Sequence, residues 1–385
     1  MTKKSASTIL TLAFMTLTCI LPLSAKDRSS EIESKIKTMG VREKVAQMFV
    51  VRLESLDPAF DNDAVHKSSL KGATEVNDRI EETFERYPAG GVILFSRNIE
   101  NPRQTKKLTK KIHALKSRSG IRPLTFIDEE GGIVSRLANN KAFDLPKFES
   151  MKKIGDSGDE ENAWKAGKTI GKYLGEFGFD VDFAPVADVD TNPLNPIIGD
   201  RAFSEDPEEA AGMSSAFLKG LESAGTKGCL KHFPGHGDTQ TDTHKGYAET
   251  GKTWEELLEC EMLPFKSGIE SGADFIMTAH ISAPKIDKSG SPSTLSKTIT
   301  TDKLRKELGY DGIIITDAME MSAITKNYGN GEAVIKSILA GSDMILIPYD
   351  YRATFESVLE AVENGVIPEE RINESVRRIL KVKFE

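Results

Sequence analysis

Short apolar runs alternate with amphipathic stretches along most of this chain. The apolar runs are nearly continuous rather than alternating, which is typical of parallel strands that are buried on both faces. Eight such runs predict strands: residues 45–53, 90–95, 124–127, 179–186, 226–232, 273–278, 312–316 and 343–347. Apolar residues spaced three and four positions apart predict helices between them: residues 101–117, 160–177, 207–224, 254–272, 301–308, 331–340 and 351–364.

Eight strands that alternate with helices predict a single (β/α)8 barrel of the α/β class. A doubly wound open sheet is the alternative, although no Gly-x-Gly-x-x-Gly follows the first strand, which disfavours its nucleotide-binding form. The last predicted helix, residues 368–382, ends almost at the C-terminus. We therefore expect residues 26–385 to form one barrel without a second C-terminal domain. The polar stretch 57–79 is predicted to be a loop or insertion.

The N-terminus has the organisation of an export signal. Lys3 and Lys4 precede an apolar core at residues 9–21, and the Pro22-Leu23-Ser24-Ala25 stretch that follows offers a small residue for cleavage. We predict that residues 1–25 are a signal peptide, and that the mature protein is periplasmic or secreted, with no membrane span. The core is shorter than the roughly 20 residues that cross a bilayer. An uncleaved anchor is one alternative, and lipid attachment through Cys19 is another, which Thr18 fits poorly.

The distribution of charge along the chain argues against a nucleic-acid partner. The formal net charge is −8 and basic residues are spread along the chain, so we expect no nucleic-acid partner. We expect a monomer.

Cys229 and Cys260 follow the predicted signal, and two cysteines do not make a disulfide framework. A single bridge is the alternative to two free, apolar-type side chains.

Polar residues gather where the predicted strands end, which in a barrel is the functional face. A single acid at such a position is often a helix N-cap, but charged groups at many strand ends are harder to explain as caps. These strand ends carry Asp128, Glu129 and Glu130; Asp188, Asp190 and Asn192; Lys231 and His232; His280; and Asp317 and Glu320.

Asp317 is the strongest single candidate for a catalytic carboxylate. It is the first charged residue after the fully apolar run 312–316. A carboxylate at the rim of a barrel can act as a nucleophile or stabilise a developing cation. The alternative is a cap for the helix that follows.

The segment 231–244 concentrates the remaining candidate chemistry, with three histidines and two aspartates in fourteen residues. Asp242 and His244 are spaced so that an extended loop can place both side chains on one side. The carboxylate would orient the imidazole, which exchanges protons near neutral pH. Gly235 and Gly237 are expected to give this loop conformational freedom.

A metal site is the competing interpretation of the same loop. The possible ligands are His232, His236, Asp238 and His244. Pro234 and Gly235 separate the first two histidines, so a helical zinc pair is disfavoured. We expect no metal and no cofactor.

Three motifs together resemble glycoside hydrolase family 3, and within it the bacterial β-N-acetylhexosaminidases. They are I-D-x-E-G-G-x-V-x-R from residue 127, K-H-F-P-G-H-G-D-x-x-x-D-x-H from residue 231 and I-T-D-A-M-x-M from residue 315. The resemblance covers about residue 40 to the end, and the three motifs in this order are jointly specific.

The resemblance implies a (β/α)8 barrel and a retaining mechanism through a covalent glycosyl-enzyme. It implies that Asp317 is the nucleophile and that His244, assisted by Asp242, is the general acid/base. It also implies sugar contacts by Asp128, Arg136, Arg201, Lys231 and His232. The substrate that it implies is a terminal, non-reducing β-linked N-acetylglucosamine. The expected partner is thus a small glycan or muropeptide derived from peptidoglycan or a related glycan.

Three alternatives remain open at this point. β-Glucosidases and β-xylosidases of the family take their acid from a glutamate in a second domain, whereas the Asp242-Thr243-His244 loop favours the hexosaminidase. Serine is commoner than Thr243 at that position. A non-catalytic sugar-binding protein would lose Asp317 or His244, and a phosphorylase would use phosphate instead of water.

Overall fold

The computed structural model describes residues 25–67, 70–239 and 248–384. Within these residues, eight parallel strands form the barrel that the apolar runs predict. The strands are β1 Phe49–Arg52, β2 Gly91–Ile93, β3 Leu124–Ile127, β4 Val181–Asp182, β5 Lys227–Phe233, β6 Phe275–Thr278, β7 Ile313–Thr316 and β8 Ile345–Leu346.

The strands follow one another around the barrel in chain order. Each of β1 to β6 pairs in parallel with the next strand of the chain, and β8 pairs in parallel with β1. The step from β7 to β8 is made by a parallel bridge between Ile315 and Met344, and the Thr316 N–H donates to Met344 O over 3.1 Å. The ring is therefore closed, and the open-sheet alternative is wrong.

Helices surround the barrel close to where the sequence predicts them. The α-helices are Ala25–Thr38, Val41–Gln47, Asn62–Val65, Asp78–Arg86, Pro102–His113, Met151–Gly155, Glu160–Glu176, Pro207–Ser223, Trp254–Leu258, Met262–Glu270, Ser322–Thr325, Asn330–Ala340, Tyr351–Glu363 and Glu369–Phe384. A π-helix, Thr298–Glu307, replaces the predicted helix 301–308.

Two element boundaries differ from the prediction for identifiable reasons. The apolar run 45–53 is not one strand, because Val45 and Ala46 are buried on the helix Val41–Gln47. A short apolar run does not distinguish a strand from a buried helical turn. The predicted helix 254–272 is broken at Cys260, and Pro264 lies in the first turn of the second piece, where proline is well tolerated.

The polar stretch 57–79 is an ordered insertion after β1 where the structure describes it. Asp57, which is buried, accepts hydrogen bonds from Arg79 Nε at 2.8 Å and from Asn77 Nδ2 at 2.8 Å. The Arg79 guanidinium lowers the pKa of the Asp57 carboxyl to about 2. This ion pair joins the start of the insertion to its end and holds it against the barrel.

The sequence also led to predictions about the two cysteines and the N-terminal segment. Cys229 is buried on β5 and Cys260 is partly buried, and both thiols are free, so the single-bridge alternative is wrong. Residues 1–24 of the predicted signal, including Cys19, lie outside the described residues. Across the part of the chain that is described, no helix is both long and apolar enough to cross a membrane.

Candidate active site

A pocket of about 400 Å³ opens at the carboxyl ends of the barrel strands. Six of the residues that the sequence predicts for the site line it together: Asp128, Arg136, Arg201, Lys231, His232 and Asp317. They come from the ends of four different strands and from the loops that follow them, as expected for a barrel whose function lies at this face. Asp242 and His244 lie outside the described residues, and their roles stay predictions.

Asp317 stands at the pocket edge of β7, directly after four buried residues. Its backbone N–H donates to Thr278 O on β6 over 2.9 Å, and its Oδ1 accepts from the Ala318 N–H at 2.7 Å. The next helix, Ser322–Thr325, has Met321 at its N-cap position. Asp317 is therefore not the cap of that helix, and its carboxylate is held in the pocket by its own strand end.

A cluster of five charged side chains of alternating sign forms the wall beside Asp317. The Lys231 ammonium lies 2.5 Å from Glu130 Oε1 and 3.1 Å from Asp128 Oδ1. Arg201 donates twice to Glu130, from Nε and Nη2, each over 2.8 Å. Arg136 Nη2 reaches Asp128 Oδ2 at 3.2 Å. Glu130 is thus central to the site, although its sequence position suggested only a strand-end acid.

The charges in this cluster keep one another ionised. Burial alone would raise the pKa of Asp128, but the Lys231 ammonium and the Arg136 guanidinium outweigh it, so the pKa is lowered. Burial likewise opposes ionisation of Glu130, and Arg201 and Lys231 lower its pKa well below the usual range. Burial would lower the pKa of Lys231, whereas Glu130 and Asp128 raise it. The wall therefore presents fixed donors and acceptors, which suit the hydroxyl groups of a sugar.

His232 is oriented by Asp188, a residue that the sequence marked only as a strand-end acid. Asp188 Oδ2 accepts from His232 Nδ1 at 2.7 Å, and Oδ1 accepts from the His236 backbone N–H at 2.6 Å. Donation to a carboxylate places the proton on Nδ1, so Nε2 of a neutral His232 is a hydrogen-bond acceptor. Burial, followed by the neighbouring His232, lowers the pKa of His236.

The two glycines of this loop are required by packing. Gly235 has φ +117°, and a Cβ there would lie 2.6 Å from Glu261 Cγ. A Cβ on Gly237 would lie 1.7 Å from Val189 O. The sequence suggested conformational freedom at these positions, and the structure gives a steric reason for glycine instead.

The first two candidate metal ligands each have one ring nitrogen bonded to another side chain. His232 Nδ1 is bonded to Asp188, and His236 Nδ1 lies 2.7 Å from Thr239 Oγ1. Among residues 25–67, 70–239 and 248–384, no three His, Cys, Asp or Glu side chains are arranged to hold a metal ion. His244 is not among those residues.

We expect prolonged treatment with EDTA to leave the catalytic activity of this protein unchanged. The charged groups of the pocket pair with one another, so the site does not depend on a cation for its order. The measurement is the steady-state rate before and after chelation and dialysis. A loss of activity that added zinc restores would contradict this expectation and revive the metal site.

A second set of pocket residues was missed from the sequence. Glu320 Oε2 accepts from Arg52 Nε at 3.1 Å, and the same carboxylate pairs with His66. His66 belongs to the insertion 57–79, far from Glu320 in sequence, and no local pattern links the two. The sequence analysis identified Glu320 as a strand-end acid but assigned it no role. Arg52 was not singled out, because it lies at the end of β1 within an apolar run.

Comparison with known proteins relates this chain to glycosidases. Residues 40–382 match the family described as "Glycosyl hydrolase family 3 N terminal domain". The chain is 35% identical over 335 residues to Beta-hexosaminidase A of Pseudoalteromonas piscicida, covering 80% of this chain and 56% of that protein. It is 37% identical over 266 residues to Beta-hexosaminidase of Nitrosomonas eutropha, covering 68% of this chain and 74% of that protein.

A solved structure agrees with the sequence relatives. The glycoside hydrolase family 3 β-N-acetylglucosaminidase from Paenibacillus sp. str. FPU-7 superposes with a TM-score of 0.81 at 35% identity. The match covers 90% of this chain and 62% of that chain. The present chain thus spans little more than half of the Pseudoalteromonas protein and under two thirds of the Paenibacillus chain.

Proposed function

Because the chain belongs to glycoside hydrolase family 3, we propose that it is a retaining exo-β-N-acetylglucosaminidase acting on terminal, non-reducing β-linked N-acetylglucosamine. One observation carries the proposal: the strand-end carboxylate Asp317 lines the same pocket as the Asp128–Glu130–Lys231–Arg201 cluster. A carboxylate aimed at a small pocket that is rich in fixed donors and acceptors fits nucleophilic attack on a bound sugar.

In the first step, an Asp317 oxygen attacks the anomeric carbon and the bond from that carbon to the leaving oxygen breaks. The leaving oxygen takes a proton from the His244 imidazolium, whose charge Asp242 stabilises. The charged cluster holds the ring hydroxyls, so the anomeric carbon is positioned for in-line attack. The product of this step is a glycosyl ester of Asp317 and a free aglycone.

In the second step, water attacks the same carbon and displaces the Asp317 carboxylate. Neutral His244 removes the proton of that water, so it acts as acid and then as base. Two inversions retain the β configuration. Histidine in this role replaces the carboxylic acid of most retaining glycosidases, and its ordinary pKa suits exchange of protons near neutral pH.

We propose peptidoglycan fragments as the source of the substrate and the periplasm or cell exterior as the location. The support is the sequence pattern of residues 1–25 together with the chemistry of the pocket. We also propose that the protein acts as a monomer.

The substrate assignment is tested by the rate of 4-nitrophenol release from three β-glycosides: the N-acetylglucosaminide, the glucoside and the xyloside. The proposal predicts the highest kcat/KM for the N-acetylglucosaminide. A preference for the glucoside or xyloside would keep the family and overturn the substrate. No release from any of them would favour a sugar-binding protein, and faster turnover in added phosphate would favour a phosphorylase.

A further inference from the structure

The side chain of Glu129 is buried outside the pocket, and the proposed mechanism does not use it. Its two neighbours in the chain, Asp128 and Glu130, line the pocket, whereas Glu129 is fully buried and does not line it. Burying a carboxylate is unfavourable unless hydrogen bonds compensate for the loss of water. The hydrogen-bond partners of Glu129 therefore indicate what this side chain does.

Four hydrogen bonds converge on the Glu129 carboxylate. Oε2 accepts from the backbone N–H groups of Arg136 and Leu137, over 2.5 and 2.9 Å. Oε1 accepts from the Ala138 N–H over 2.9 Å and from the Tyr173 hydroxyl over 3.0 Å. Burial raises the pKa of the Glu129 carboxyl, and these four donors oppose the rise. The three donating backbone groups belong to no helix or strand, so the carboxylate replaces the partners that such an element would supply.

The main chain of Glu129 is fixed as well. Its N–H donates to Oδ1 of Asp182, at the end of β4, over 2.8 Å. Asp182 is fully buried, and burial raises the pKa of its carboxyl well above the usual range. A neutral Asp182 places no second full negative charge beside Glu129. Because Tyr173 lies on the helix Glu160–Glu176, Glu129 joins β4, that helix and residues 136–138.

These contacts close a small hairpin that carries pocket residues at both of its ends. Residues Glu129–Gly131 pair antiparallel with Val134–Ser135, and the turn between them has positive φ at Gly131 and Gly132, +91° and +60°. Asp128 and Glu130 lie at the first end of the hairpin, and Arg136 follows its second end. The Glu129 carboxylate therefore joins the two ends directly, in addition to the pairing of the two short strands.

Arg136 depends on this backbone support more than the other cations of the charged cluster do. Lys231 contacts both Glu130 and Asp128, and Arg201 donates twice to Glu130. In the part of the chain that the structure describes, the Arg136 guanidinium makes one hydrogen bond, to Asp128 at 3.2 Å, and its buried Nε makes none. The place of the guanidinium in the pocket is therefore set mainly by the backbone that Glu129 holds.

We propose that Glu129 is a positioning residue, which holds the loop after β3 so that Asp128, Glu130 and Arg136 meet the substrate in the correct arrangement. This inference rests on the proposed function, because that function makes this loop a contact of the sugar. A displacement of about 1 Å in groups that orient a substrate can lower a rate about 100-fold. A carboxylate that does not touch the substrate can therefore control how well the substrate is held.

The test is a double-mutant cycle on kcat/KM for 4-nitrophenyl N-acetyl-β-D-glucosaminide, with Glu129→Ala, Arg136→Ala and the protein that carries both substitutions. We expect Glu129→Ala to lower kcat/KM about 10- to 100-fold. Because Glu129 acts through the loop that carries Arg136, the combined loss should be at least about fivefold smaller than the product of the two single losses. Glu129→Gln should recover part of the loss, since its amide oxygen still accepts from the Arg136 and Leu137 N–H groups.

Asp180→Ala is the matched control for a purely structural effect. Asp180 also accepts from a backbone N–H, that of Thr125 over 2.8 Å, but it precedes β4 at the end of the barrel opposite the pocket. Its loss should lower the midpoint temperature of thermal unfolding, as the loss of Glu129 should. Any loss of kcat/KM in Asp180→Ala should simply multiply with that of Arg136→Ala.

Glu129→Asp covers the case in which Glu129→Ala does not fold, because it keeps the charge and draws the carboxylate back by one methylene. We expect a loss of about tenfold that shows the same coupling to Arg136→Ala. Losses that multiply, or a wild-type kcat/KM in folded Glu129→Ala or Glu129→Asp, would overturn the positioning role. A wild-type protein that prefers the glucoside or the xyloside would overturn the proposed substrate instead, and the same cycle on the preferred glycoside would then decide the role of Glu129. A wild-type protein that hydrolyses none of them would overturn the proposed function and this inference with it.

Discussion

Replacing Asp317 by asparagine should abolish turnover, with a fall in kcat of about 10⁴-fold or more. Asparagine keeps the shape of the side chain but cannot form the glycosyl ester, because its neutral amide is a poor nucleophile. The backbone contact to Thr278 O does not depend on the side chain, so the fold should be retained. The measurement is kcat on 4-nitrophenyl N-acetyl-β-D-glucosaminide.

The same substitution at Asp311 is a matched control for this experiment. Asp311 precedes the opposite end of the same strand, and its side chain is 85% exposed. Asp311→Asn should therefore keep wild-type kcat. A rate near that of the wild type in Asp317→Asn would show that the nucleophile is another group.

His244→Ala should reduce hydrolysis of natural glycans by about 10²- to 10⁴-fold, the usual contribution of general acid–base catalysis. The loss should be much smaller for activated phenyl glycosides at the first step, since 4-nitrophenolate leaves without protonation. His244 lies outside the described residues, so this prediction depends on the sequence motif.

The check is the ratio of the two losses, measured on chitobiose and on the 4-nitrophenyl glycoside. His113→Ala serves as the histidine control, since His113 lies on an outer helix and pairs with Asp180. Equal losses on both substrates in His244→Ala would argue against the acid role and for an effect on binding or folding.

Periodicity alone predicted the barrel well, because the strands are buried on both faces, apart from Lys227 at the start of β5, and most of their residues are apolar. The error at residues 45–47 arose where a buried helical turn runs directly into β1. Because the end of the helix and the strand are both buried, both have apolar sequences. The sequence pattern therefore does not show where the helix ends and the strand begins.

The site was predictable where one motif or one strand end carries the residue. Asp317 follows an apolar run, Lys231 and His232 lie at the end of another, and the fold brings these strand ends to one pocket. Glu130 and Asp188 were recognised as strand-end acids, but their pairing with Arg201 and His232 was not predicted. These contacts join residues more than forty positions apart in the sequence. Arg52 and His66 gave no signal, because the closure of the barrel alone brings them to Glu320.

The central claim is that Asp317 becomes covalently linked to the sugar, and mass spectrometry of the trapped intermediate tests it most directly. The enzyme would be incubated with a 5-fluoro analogue of an activated N-acetylglucosaminide, which slows the second step, and then digested with protease. We predict one added sugar on the peptide that contains Asp317, and none in the Asp317→Asn protein. A sugar attached to another residue, or an inverted product with no adduct, would contradict the account.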